Sequence, residues 1–189
     1  MNPADLFRRL SVILERAGIA YMVTGSFAGT VYGMGRSTLD IDLIVAADED
    51  QVRRLLDLLP ENEFYSEPHS AIEACQRKSM FNLIDNITGL KIDFIFQKMR
   101  PFSVEEFRRR RSALVMGVPL FVVSPEDIII AKLEWAKMGA SLRQIEDVTG
   151  ILKVRRDELD LAYIEKWVKE LALAAQWISA CKVAGMVPG

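Results

Sequence analysis

An α/β (α+β) fold is expected for this chain, with a small mixed β-sheet followed by a C-terminal helical bundle, and three features of the sequence predict it. Up to residue 60, apolar residues at helical spacing alternate with short strand-like runs. Residues 79–96 hold two apolar runs joined by "NITG", the pattern of a hairpin. From Ser124 onward the periodicity is helical only. The expected organisation is therefore an α/β domain over residues 1–123 and a helical region, packed on it, over 124–189.

Each element has its own signal. Leu6, Leu10, Ile13, Leu14 and Ala17 recur on one helical face, and Gly18 stops that helix. "IAYMVT" is a strand ending at Gly25-Ser26, and a short helix over "FAGTVYG" starts at the serine. Residues 39–45, "LDIDLIV", form the next strand, and "DEDQVRRLLDLLP" is a helix with an acidic first turn and a terminal Pro60. "SEPHSAI" reads as a loop holding His69, the lone histidine.

The hairpin of "SMFNLID" and "LKIDFIF" is expected to extend the sheet antiparallel. "SVEEFRRRRS" reads as a solvated helix, and "ALVMGVPLFVV" as a short hairpin or edge strand turning at Gly117-Val118-Pro119. "SPEDIIIAKLEWAK" begins with a serine cap, a proline at the first helical position and an acid three residues after the serine. Helical periodicity continues through "LRQIEDVTGILK" and from Asp157 to about Ala184, with Trp135, Tyr163, Trp167 and Trp177 assigned to the bundle core.

Composition narrows the classes of function. The chain has 189 residues, 50% hydrophobic and 26% charged, with a formal net charge of -2, so no global charge favours non-specific nucleic-acid binding. Cys75 and Cys181 lack metal-ligand spacing and read as reduced thiols. Neither a signal peptide nor a run of roughly 20 apolar residues is present, so a cytoplasmic location without membrane association is expected. The P-loop pattern is absent as well.

The chemistry concentrates in "TGSFAGTVYGMGRSTLDIDLIV". Residues i and i+2 of a strand share a face, so Asp40 and Asp42 project together. Two such charges repel unless a cation is shared between them, and Mg²⁺, which favours oxygen ligands and keeps substrate phosphates in its shell, suits that position. Asp93 is a third acid within an apolar strand and reaches the same place if that strand lies beside the first. Gly25 and Ser26 permit close approach of a phosphate. Arg36 and Lys132 are candidate cations for a triphosphate.

Gly-Ser, thirteen spacer residues, Asp-x-Asp and a later aspartate within an apolar strand resemble the signature of the polymerase-β-like nucleotidyltransferases. "GRSTLDIDLIV", "SPEDIIIAKLEWAK" and "RQIED" are similar to the minimal bacterial AbiEii-like, toxin-type members. The resemblance implies a two-Mg²⁺ enzyme that moves a nucleoside monophosphate from an NTP to an acceptor hydroxyl and releases pyrophosphate. The acceptor it implies is tRNA or other RNA, a protein, or a small molecule, and toxin-type members pair with an antitoxin protein. By position, Gly25, Ser26, Arg36 and Lys132 would bind the nucleotide, while Asp40, Asp42 and Asp93 would hold metal and carry catalysis. Arg143 and Asp147 resemble the downstream element of the toxin-type members, in which Gly150 replaces a further acid. The competing reading is a non-catalytic nucleotide sensor or partner-binding module on the same fold.

Overall fold

The computed structural model describes residues 3–33, 40–139 and 141–186, and these form two compact units. Residues 3–27 and 40–123 make the first; residues 28–33, 124–139 and 141–186 make the second. The fold is mixed α/β.

In the first unit the chain runs through α1 (Pro3–Ala17), β1 (Ala20–Thr24), the start of α2 (Gly25–Val31), β2 (Asp40–Ala46), α3 (Glu49–Leu58), β3 (Phe64–Ser66) and α4 (Pro68–Arg77). It continues through β4 (Met80–Asp85), β5 (Lys91–Phe96), α5 (Pro101–Arg108), β6 (Arg111–Val115) and β7 (Val118–Val122). The seven strands form one sheet in the order β3-β4-β5-β2-β1-β7-β6. Ile41, Leu43, Val45, Ile92, Phe94 and Phe96 are all buried on one face, which is why those strands alternate so cleanly.

Two sheet positions differ from expectation. β4 and β5 pair antiparallel as a hairpin, but β5 joins β2 in parallel, because α3, β3, α4 and β4 intervene and bring the chain back in the same direction. β7 lies inside the sheet, parallel to β1, and β6 alone takes that edge. The β6–β7 turn is made by Met116 and Gly117, both at positive φ.

Residues 68–72, expected in a loop, are helical. Pro68 opens α4, which exposes His69 and buries Ala71, Ala74 and Cys75. α5 is only half solvated: it buries Phe102 and Phe107. The arginine run that starts at its last residue is dispersed, with Arg108 paired to Glu105 at 2.7 Å and Arg110 lying over the rings of Phe107 and Phe121.

α1 is tied to the buried face of the sheet by a polar clasp. Asp85, fully buried at the end of β4, accepts from Arg9 Nη2 at 2.8 Å and from the Thr88 backbone N–H at 3.1 Å, while Arg9 Nη1 reaches Glu63 at 2.8 Å. The Arg9 guanidinium also stacks over Phe64 at 5.0 Å. Arg9→Met leaves that carboxylate without its cation and is expected to lower unfolding free energy by about 2 kcal/mol in urea titration, with Arg9→Lys recovering only part because the fork geometry is lost.

The second unit holds α6 (Pro125–Gly139), α7 (Leu142–Arg155), a single 3₁₀ turn (Arg156–Glu158), α8 (Leu161–Glu170) and α9 (Ala174–Ala184). The expected capping pattern is present at the head of α6, where Ser124 Oγ accepts from the Asp127 backbone N–H at 3.1 Å and donates to its carboxylate at 2.6 Å. The last periodic stretch is broken into α8 and α9 at Ala172, which takes φ +54° while the Leu173 N–H closes on the Val168 carbonyl at 2.8 Å. Trp167 and Trp177 are core residues; Trp135 is 61% exposed and is not. Cys75 and Cys181 are buried free thiols, and burial pushes Cys181 up to about 11. Among the described residues no helix is long and apolar enough to cross a membrane.

Candidate active site

Strand pairing brings the acids together in the first unit. Asp42 on β2 is the register partner of Asp93 on β5 and of Thr24 on β1, and Asp93 is the partner of Asn82 on β4. Asn82, Asp93, Asp42 and Thr24 therefore form one row across four strands, on the face opposite Ile41 and Leu43. One step along the strands lies a second row, in which Tyr65, Ile84, Lys91 and Asp40 are successive register partners.

Asp93 is 7% exposed, but the Asp40 side chain is 57% exposed. A cation of the chain lies against both. Lys91 Nζ stands 3.1 Å from Asp93 Oδ2 and 3.8 Å from Asp40 Oδ1, and the Asn82 amide donates to Asp93 Oδ1. The hydrogen bond to Asp93, together with the charges of Asp93, Asp40 and Asp42, raises the Lys91 ammonium above the ordinary lysine value. Lys91 and Asn82 were not among the residues read from sequence. Lys91 had a signal, since it lies two residues before Asp93 and so shares its face; Asn82 had none without the hairpin register.

Gly25 begins α2 directly beneath Asp42. Its φ is +64°, and a Cβ placed there would stand 1.9 Å from Asp42 Oδ2, 2.7 Å from Cγ and 3.0 Å from Cβ. The residue is glycine both because the backbone is left-handed and because the carboxylate occupies the side-chain position. Ser26 follows on the same short helix.

The donor set suits a hard divalent ion, for it consists of carboxylate oxygens on paired strands, one of them seated in the space that a side chain at Gly25 would fill. Among the described residues, however, no three acidic, histidine or cysteine side chains converge as a ready-made ligand group. The ammonium of Lys91 lies between two of the acids instead.

The remaining candidates are placed otherwise. Arg36 lies outside the described residues. Lys132 belongs to the second unit, where it is buried between α6 and α7, 2.8 Å from Asp147 Oδ2 and 3.1 Å from Gln144 Oε1.

A family model described as "Nucleotidyltransferase of unknown function (DUF6036)" matches residues 4–184. No curated protein sequence matches the chain. Several solved structures share the fold. The crystal structure of ANT(2")-Ia in complex with adenylyl-2"-tobramycin superposes with a TM-score of 0.58 at 13% identity, covering 94% of this chain and 99% of that one. An antigenic nucleotidyltransferase-like protein from Paracoccidioides brasiliensis gives 0.55 at 17% identity, covering 92% and 89%. The lincomycin-bound lincosamide antibiotic adenylyltransferase LnuA gives 0.53 at 12% identity, covering 82% and 98%. At these identities the likeness is one of fold.

Proposed function

Since the chain belongs to the DUF6036 family of nucleotidyltransferases, and so is a transferase of phosphorus-containing groups, we propose that it moves a nucleoside monophosphate from an NTP to an acceptor hydroxyl with Mg²⁺ and releases pyrophosphate. The observation that carries this reading is the in-register pair of Asp42 and Asp93, with Gly25 directly beneath Asp42. Asp40, Asp42 and Asp93 are the residues that would hold two Mg²⁺ ions. When bound, they supply charge neutralisation at the transferring phosphate and lower the pKa of the attacking hydroxyl.

The chain's own groups do the rest. Gly25 and Ser26 let the phosphates come close to the backbone beside Asp42. Asp93, held by the Asn82 amide, is the carboxylate we assign to take the proton of the acceptor hydroxyl. Lys132 and Arg36 are assigned to the triphosphate on the sequence resemblance.

A small-molecule hydroxyl is the acceptor best supported. Beside the acids, β3 and β4 present Tyr65, Met80 and Ile84, which are 59%, 49% and 40% exposed and uncharged. Such a surface suits an apolar or planar ring, whereas polynucleotide binding draws on clustered cations. The AbiEii-like, toxin-type role with an antitoxin partner is the second reading, and it is favoured by "RQIED" on α7.

The test is incubation with Mg²⁺ and each α-³²P-labelled NTP, offering bacterial RNA, a protein extract, or tobramycin and lincomycin, with an EDTA arm. Label in the small-molecule arm that EDTA removes is the expected result. Label in RNA or protein instead assigns the toxin-type reading, and NTP binding without label in any arm assigns the sensor.

A further inference from the structure

We propose that Lys91 is the resident cation of the carboxylate cluster, that a divalent metal ion must displace it, and that the released ammonium then meets the phosphates arriving with the metal. This rests on the metal-dependent reading above and goes beyond it by making metal binding depend on nucleotide.

The geometry supports the exchange. Lys91 bridges two acids from different strands, Asp93 on its own and Asp40 on the neighbour. Among the described residues Lys91 thus links two of the cluster's acids, and no three acids converge there. Its members differ in freedom of movement. Asp93 is nearly buried and is also held by Asn82, so it keeps its place when the ammonium leaves. The Lys91 side chain is 44% exposed on a flexible four-carbon stem, and Asp40 is more exposed still. Lys91 can therefore depart without disturbing the sheet.

Energetics set the order of events. A metal ion entering alone must break the Lys91 contacts and leaves the ammonium beside a new like charge. An ion entering with a triphosphate brings anions to which the ammonium can turn, so its displacement is compensated. Metal and nucleotide then each tighten the binding of the other by the same factor.

Manganese provides the probe, with free Mn²⁺ read by electron paramagnetic resonance on the full chain. Without nucleotide, Lys91→Met is expected to bind Mn²⁺ up to about fivefold more tightly than the unmodified chain, the factor that a partly exposed charge contact supplies. With a non-hydrolysable α,β-methylene ATP the advantage disappears or reverses, because the ammonium is missing from the phosphates. Lys91→Gln, which keeps a donor without the charge, is expected to follow Lys91→Met, and Asp42→Asn to remove Mn²⁺ binding in every background. Equal or weaker Mn²⁺ binding by both Lys91 variants, with nucleotide-dependent binding intact, overturns the displacement but leaves the metal reading standing. Mn²⁺ binding that survives Asp42→Asn places the ion elsewhere and overturns it too. Absence of Mn²⁺ binding in all variants, with and without nucleotide, removes the metal reading itself.

Discussion

Gly25→Ala is expected to lower nucleotidyl transfer about a hundredfold, by displacing the carboxylate above it rather than by removing any catalytic group. The new methyl would stand 1.9 Å from Asp42 Oδ2, well inside contact distance, and the clash is with Cγ and Cβ as well as the far oxygen. Rotation of the carboxylate alone does not relieve it. The backbone at φ +64° adds roughly 1–2 kcal/mol of its own for a residue bearing a Cβ. Asp42→Ala removes the acid outright, with an expected loss on the order of a thousandfold. The double variant separates the two effects. If Gly25 acts through Asp42, then Gly25→Ala costs nothing further in the Asp42→Ala background, so the transfer rates are strongly non-additive. Additive losses would instead assign Gly25 an independent contact with the phosphates. Thermal unfolding of all three variants controls for simple destabilisation.

The aspartates were legible because strand periodicity is an arithmetic property of the backbone. Asp40 and Asp42 must share a face, and an acid inside "LKIDFIF" has few other reasons to be there. What compensates those charges was legible only in part. From sequence the repulsion called for a bound cation; the structure adds Lys91, which shares the face of Asp93 and stands near both Asp93 and Asp40, and the cross-strand amide of Asn82. Cross-strand partners depend on register, which a single sequence does not display. The same limit hid the parallel joining of β5 to β2, a consequence of the intervening β3 and α4. Those two elements were themselves faint, since β3 has three residues and α4 begins in the polar "PHSAIEACQR". The break between α8 and α9 had no sequence signal at all, because Ala172 adopts a left-handed conformation usually left to glycine.

Lys132 carries the largest expected effect on stability. Its ammonium and the Asp147 carboxylate are only 5% and 8% exposed and lie 2.8 Å apart, with Gln144 accepting a second hydrogen bond from the ammonium. Burying two charges is costly, and their mutual attraction offsets that cost only while both remain. Lys132→Met takes from the buried Asp147 carboxylate the cation 2.8 Å away and is expected to lower unfolding free energy by about 3 kcal/mol in urea titration, as is Asp147→Leu. Replacing both partners at once removes both buried charges, and apolar pairs of similar volume restore such sites to near their original stability. The double variant Lys132→Met/Asp147→Leu is thus expected to unfold close to the unmodified chain. Its NTP affinity then distinguishes two roles that the single variants confound. Recovered stability with recovered affinity makes Lys132 a brace between α6 and α7; recovered stability with affinity still lost makes it the triphosphate ligand that the sequence suggested, held by Asp147 until the nucleotide arrives.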